Sequence, residues 1–454
     1  MMNGTSDSVR LPLGVRDFLP LAAARRRSIG ERCLSAFERW GYRRILAPAF
    51  EYEDVLARGL GHDVHSAAIR FVEPLTGEVV ALPTDITPQV ARMAATRLGD
   101  VGGPLRLCYD ASVVRLNPGD RGQRQVLQAG VELIGIDSPE GDAEALAVAA
   151  DTLAGVRCDF VRLDVGHVAL ARAAMAGIDD PAHLRELREV LGKKDRSSIA
   201  RVARGLPPLQ RKLLEALPLL FGEPEAVLAQ ARELRLPAVA RKALDNVEHV
   251  LDLARDVVDE ELFSNISLDL GEIRGFEYYT GLRFAGYGAG MGEALLRGGR
   301  YDELMARYGA PAPATGFAVD IECIAEVEAG ATAGLTLEPA VLLSPVKDQR
   351  RFANKVAAAL RAGGLRVAVD SGKRRSAAAM AAYAADAGFT AVLSIDADGK
   401  GQIQAVRAPV AGSQGTDKSA PTAIGVRAIR RAARGDATDL LAGLERSKQL
   451  QGAR

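Results

Sequence analysis

Two neighbouring stretches constrain the fold most: PLRLCYDASVVRL (104–116) and VLQAGVELIGI (126–136). Both read as strands, and the polar, glycine-containing loop NPGDRGQRQ (117–125) joins them. The second strand alternates. Leu127, Ala129, Val131 and Leu133 point one way, and Gln128, Gly130 and Glu132 point the other. Two polar side chains therefore share one face, with a glycine between them.

The surrounding pattern places this pair in a larger sheet. Ile29, Cys33, Leu34, Phe37 and Trp40 repeat at helical spacing and predict a helix over 22–40 that Gly41 stops. AIRFVEP and EVVALPT predict strands around a tight turn at Leu75–Glu78. Thr87-Pro88 reads as an N-cap and N1 pair opening a helix through Arg97. Residues 140–260 are rich in Ala, Leu, Arg and Glu and read as mostly helical. Strands return in ISLDLGEIRGFEYYTGLRFAGY, before GGRYDELM, and in TGFAVDIE. From residue 337 strands (LLSPV, LRVAVD, FTAVLSID) alternate with helices (RRFANKVAAALRAGG, SAAAMAAYAADAG), the pattern of a separate α/β unit. A soft segment near 408–422 precedes a basic, Ala-rich helix.

Composition narrows the function classes. Lys+Arg and Asp+Glu both number 58 in 454 residues, so no strongly cationic nucleic-acid binder is indicated. Cys33, Cys108, Cys158 and Cys323 form no CxxC pair and suit a reducing compartment. The polar N-terminus has no apolar core of a signal peptide, and no apolar run reaches spanning length, so a cytoplasmic protein is expected.

Simple motifs fail. GYGAGMGE (286–293) does not fit GxGxxG and reads as a flexible loop, and no P-loop is present. His62 and His65 lie three apart without an evident third ligand, so neither a metal nor any other cofactor is expected. The basic run 373–375 reads as a solvated face.

A distributed set carries more. It comprises Asp85, Thr87, Arg115, Gln128, Glu132, Arg274, Tyr278, Tyr279 and Arg300-Tyr301. Each is compatible with a structural role. Together they offer carboxylates and neutral acceptors for an ammonium, a guanidinium for a carboxylate, and a phenol with a second carboxylate for an imidazole.

LPLGVRDFLP, the strand pair, IRGFEYYTG and RGGRYDEL, in this order, resemble histidyl-tRNA synthetase over residues 11–325. The resemblance implies an α+β fold: a class II synthetase-like antiparallel sheet core (11–139 and 261–330) with a helical insertion (140–260). The C-terminal α/β domain (337–454) stands where synthetases carry an anticodon-binding domain. It implies that Asp85, Thr87 and Gln128 face the α-amino group of histidine. Glu132 and Tyr279 hold the imidazole, Arg274 the carboxylate, and Tyr278 and Tyr301 line the pocket, with Arg115 as the surviving motif-2 arginine.

The nucleotide half departs from the family. GFAVDIEC places Cys323 where the GFAxGLER motif has its arginine, Asp320 where it has a glycine, and Asn117 where an acid reads adenine. Charge builds on the α-phosphate and on pyrophosphate during adenylate formation, so a lost cation and an added anion weaken exactly that step's support. The remaining pattern resembles the regulatory subunit of ATP phosphoribosyltransferase. That family works with a short-form catalytic subunit in the first step of histidine biosynthesis and relays inhibition by histidine. The resemblance implies a homodimer within a hetero-oligomer, no aminoacylation of its own and no tRNA. An active histidyl-tRNA synthetase is the alternative.

Overall fold

The computed structural model describes residues 10–59, 68–116, 122–157, 161–274, 278–330, 340–345, 349–372, 375–396, 398, 400–406, 422–424, 426–432, 434–436 and 438–446. His62, His65, Asn117, Cys158 and nearly all of the soft segment lie outside them. The chain divides into two compact units, Met1–Ala333 and Gly334–Arg454.

The strands of the first unit run in chain order. Two are short, β1 (Arg43–Arg44) and β2 (Glu51–Tyr52), and β3 (Arg70–Val72) and β4 (Val79–Ala81) flank the Leu75–Glu78 turn. The long pair is β5 (Leu105–Val114) and β6 (Gln125–Ile134). There follow β7 (Val161–His167), β8 (Phe221–Gly222), β9 (Ile266–Asp269), β10 (Leu282–Gly288), β11 (Leu296–Arg300) and β12 (Ala314–Asp320). They build a nine-stranded sheet of order β1-β5-β6-β12-β11-β10-β7-β9-β8 and a three-stranded sheet of order β2-β4-β3. The six strands from β5 to β7 pair antiparallel, while β1–β5 and β7–β9 are parallel.

One face of the large sheet carries the core. The helix Pro20–Arg39 buries Ile29, Cys33, Leu34, Ala36 and Phe37. They pack, with the helix Pro139–Ala154, on Ala129, Val131 and Leu133 of β6. Phe317 of β12 meets Phe37 at 5.7 Å and Phe284 of β10 at 6.0 Å between ring centres. The helix starts two residues before the sequence expectation because Pro20 suits its first turn. Gly41, at φ 82°, takes the left-handed position that ends it.

The section expected to be mostly helical from residue 140 to 260 also contributes a strand to the sheet. The helix Pro139–Ala154 covers the sheet, and Val161–His167 is an inner strand, β7. Leu163 and Val165 point into the core while Arg162, Asp164 and Gly166 point away, a short alternation masked by the Ala-rich run before it. Helices then dominate from Val168 to Phe263. GYGAGMGE is no free loop: β10 runs to Gly288, and Gly290 at φ 75° turns the chain toward β11.

The second unit holds β13 (Ala340–Pro345), β14 (Arg366–Val369), β15 (Ala391–Ile395), β16 (Gly401–Ala405) and β17 (Thr422–Ile424) in the order β14-β13-β15-β16-β17. The first three are parallel, with helices Arg350–Ala362 and Ala377–Asp386 as crossovers. β16 and β17 add antiparallel strands that the sequence pattern did not signal. Arg375 of the basic run pairs with Asp370 at 3.2 Å and lies over Tyr383. No helix among the described residues is long and apolar enough to cross a membrane.

A buried ion pair joins sheet to helix beneath the open face. Arg300 Nε donates to both Asp142 carboxylate oxygens at 3.0 Å, with side chains 8% and 2% exposed. Removing Asp142 leaves Arg300 buried with the half-exposed Asp302, at 3.1 Å, as its remaining carboxylate partner. Asp142→Ala is expected to lower the unfolding free energy of this unit by about 3–5 kcal/mol, read by urea denaturation. A loss within experimental error would show that the pair holds nothing.

Candidate amino-acid-binding site

The other face of the sheet carries the polar residues of β6. Register places Tyr109 beside Gly130, and Gly316 of β12 beside Glu132. The glycines are spatial requirements. A Cβ on Gly130 would sit 2.5 Å from the Tyr109 hydroxyl, and one on Gly316 would land on the Glu132 carboxylate and 2.9 Å from the Tyr301 hydroxyl. The sheet surface is left bare so that these side chains can lie across it.

Glu132 is 1% exposed, and its Oε2 accepts a hydrogen bond from the Tyr301 hydroxyl. Tyr301 stacks on Tyr278 at 5.2 Å, and Tyr278 meets Tyr279 edge-on at 5.2 Å. From the adjoining segment, Asp85 Oδ1 accepts from both the Thr87 amide and the Thr87 hydroxyl at 3.3 Å. The N-cap of the helix Thr87–Arg97 is Ile86, one residue before the expected Thr87, and Asp85 takes the Thr87 amide from just outside the helix.

Four oxygens here are buried without a hydrogen-bond partner among the described residues: Glu132 Oε1, Gln128 Oε1, and the hydroxyls of Tyr109 and Tyr278. Each such atom costs about 1–3 kcal/mol when left unmade. Burial pushes the Glu132 carboxyl well above its ordinary range; the Thr87 hydroxyl pulls it down and the Asp85 charge pushes it up. Burial likewise raises Tyr109 and Tyr278, and lifts Tyr279 to about 12. Glu132 Oε1 and Gln128 Oε1 can only accept, and the two phenols can accept as well as donate, so a ligand bringing N–H groups would satisfy them.

The structure gathers Asp85, Thr87, Glu132, Tyr278, Tyr279 and Tyr301 in or beside this cluster, and Gln128, four residues before Glu132 on β6, lines a cleft with Phe18, Arg26 and Asp110. Arg115 stands at its border, where Nε donates to the Thr84 carbonyl at 3.3 Å, one residue before Asp85. Arg274 does not join it. Its guanidinium donates to Glu272 Oε2 at 2.9 and 2.6 Å, it is 57% exposed, and it lines a different cleft. Against the upward push of burial, Arg274 and Arg283 hold the Glu272 carboxyl down to about 2, so Arg274 is committed to that partner. Arg300 points to Asp142 on the opposite face. Adjacent residues on a strand cannot both face one pocket, so the Arg300-Tyr301 dipeptide could supply only one member. Tyr109 went unassigned, although its pairing with Gly130 follows from the alternation that exposed Gln128 and Glu132.

The GFAVDIEC stretch has its own partners. Asp320 Oδ1 accepts from the Cys323 amide at 2.9 Å and caps the helix Ile321–Gly330. Glu322 is fully buried and gripped by Arg26 at 2.6 Å and Arg16 at 2.7 Å, both from the N-terminal segment. Cys323 is 1% exposed and belongs to the apolar core.

The histidyl-tRNA synthetase family profile matches residues 14–324. An ATP phosphoribosyltransferase regulatory subunit of Geobacter metallireducens is 43% identical, over 82% of this chain and 86% of its own. This chain is a member of the ATP phosphoribosyltransferase regulatory subunits, within the histidyl-tRNA synthetase family. A solved structure titled ATP phosphoribosyltransferase regulatory subunit/histidyl-tRNA synthetase, from Bacillus halodurans, superimposes with a TM-score of 0.72 at 27% identity, covering 86% of this chain and 99% of that one. Histidyl-tRNA synthetase from Nostoc sp. PCC 7120 shares the fold, with a TM-score of 0.75 at 19% identity over 94% of this chain and 100% of that one. The Geobacter alignment spans 382 residues, more than the first unit holds, so the likeness to that regulatory subunit runs into the C-terminal α/β unit.

The raised Glu132 carboxyl sets a pH dependence of stability. A folded value above the ordinary carboxylate range contributes stability at low pH and loses it as pH rises. Glu132→Gln is isosteric with the protonated form. Its melting temperature is expected to exceed that of the wild type by a margin that widens from about pH 4 to about pH 8. A margin that is constant, or narrows, would contradict the burial of an unpaired carboxyl.

Proposed function

We propose that this chain acts as the non-catalytic regulatory subunit of ATP phosphoribosyltransferase. It joins a short-form catalytic subunit in the cytoplasm, and free histidine binds over β6 and feeds back on the first step of histidine biosynthesis. The observation that carries the reading is the buried cluster of unpartnered oxygens around Glu132 combined with a thiol in the core at position 323. An imidazole offers N–H donors to Glu132 Oε1 and the tyrosine hydroxyls, and an ammonium suits Asp85 and Gln128. The phosphates of ATP would meet neither a cation at 323 nor a neutral residue at 320.

The synthetase reading keeps one support, Arg115 at the site's border. Its guanidinium donates through Nε to the Thr84 carbonyl, and the preference for the regulatory reading rests on positions 320 and 323.

The experiment mixes the full chain with a short-form phosphoribosyltransferase and follows product formation with and without histidine. Activation, and inhibition by histidine, are expected. Glu132→Gln should retain activation and shift half-inhibition upward by about tenfold or more, the scale of one charge-assisted hydrogen bond. No activation rejects the reading, and unchanged feedback in the variant rejects the pocket.

A homodimer forms part of the proposal. The three-stranded sheet exposes Phe50, Tyr52, Phe71, Val72 and Val79, with Phe50 and Phe71 in edge-to-face contact at 5.8 Å. An apolar group of this kind suits a self-association surface. Phe71→Asp should lower the sedimentation mass to that of a monomer. A dimer that survives the change would move the interface elsewhere.

A further inference from the structure

The chain balances 58 Lys and Arg against 58 Asp and Glu, yet the balance is not local. The C-terminal unit, Gly334–Arg454, holds 19 Lys and Arg against 10 Asp and Glu, a surplus of nine positive charges. Part of that surplus gathers on one side of its sheet. The helices Arg350–Ala362 and Val426–Ala432 share a core there, through Val356, Leu360 and Ile429 against Val341 and Leu343 of β13. Their outer positions, and the turn after the second, carry Arg350, Arg351, Lys355, Arg427, Arg430 and Arg434. All six are exposed, and none has a carboxylate partner among the described residues.

Elsewhere this unit answers its arginines. Arg431, on the second helix, pairs with Asp436 and with Asp439 at 2.7 Å, and Arg375 pairs with Asp370. Six open cations on one layer repel one another, and an anionic surface laid over them relieves that repulsion. The layer offers little else to a polyanion. Among the described residues of this unit, the one large apolar side chain that is exposed is Tyr383. It sits on the helix Ala377–Asp386, whose core lies on the opposite side of the sheet. A single-stranded nucleic acid finds no ring to stack on in this layer, and a bilayer finds no anchor to bury. A folded protein with an acidic face needs neither.

We propose that this basic layer docks the short-form catalytic subunit through an acidic face of that subunit. The inference rests on the regulatory-subunit reading and adds the surface through which it operates. Charges of this kind speed encounter and select the partner, and salt screens them.

The test measures binding of the full chain to the short-form catalytic subunit by surface plasmon resonance, and activation of product formation alongside, at low and at high salt. One double variant, Arg351→Glu with Lys355→Glu, alters the first helix. Another, Arg427→Glu with Arg430→Glu, alters the second and carries the test if circular dichroism shows the first unfolded. Arg185→Glu with Arg204→Glu, at exposed arginines of the first unit, makes the same change in net charge. Wild-type affinity should fall as salt rises. Each layer variant should bind about tenfold or more weakly at low salt, with a flatter salt dependence, and should still activate fully when in excess. The control pair should bind like the wild type. The proposal is overturned if the layer variants bind as the wild type does, if the control pair weakens binding equally, or if the layer variants lose affinity for an RNA duplex while keeping it for the catalytic subunit. A wild-type chain that never activates the catalytic subunit would instead reject the regulatory reading itself, and this inference with it.

Discussion

A carboxyl buried against one tyrosine hydroxyl organises the open face of the sheet. Glu132 has no room beside it unless residue 316 is glycine, and the tyrosines gather around it because β11 ends where Tyr301 can reach back. Burial of that carboxyl with one oxygen unpaired is unfavourable for folding. The arrangement persists because the rest of the unit is strongly held, by the apolar layer under β6 and by the Arg300–Asp142 pair. Local cost and global support are typical of a surface shaped for a ligand.

The nucleotide side of the same sheet is organised differently. The two acids of GFAVDIEC are consumed within the fold, one as a helix cap and one by two arginines. What the sequence implied through the loss of one arginine therefore takes a more definite form, because a side chain at 323 enters the core beside the helix Pro20–Arg39.

Much of this was legible in the residues. The alternation in β6 assigned Gln128 and Glu132 to one face and the apolar residues to the other, and the long elements emerged from period and turn chemistry. Three things were not legible. β7 is short and follows an Ala-rich helix, so its alternation was hidden. Arg274 and Arg300 sit in informative motifs, yet the direction of an arginine depends on which carboxylate lies closest in space, and Glu272 and Asp142 take them. The bases that neutralise Glu322 come from about 300 residues away in the chain, a separation of 306 for Arg16 and 296 for Arg26, which no local pattern reveals.

The central claim is that this sheet recognises an amino acid and does not activate it. Histidine-dependent exchange of labelled pyrophosphate into ATP by the isolated chain measures activation directly. The account predicts exchange indistinguishable from that without histidine. Exchange that appears on adding histidine, and vanishes in Glu132→Gln, would contradict it.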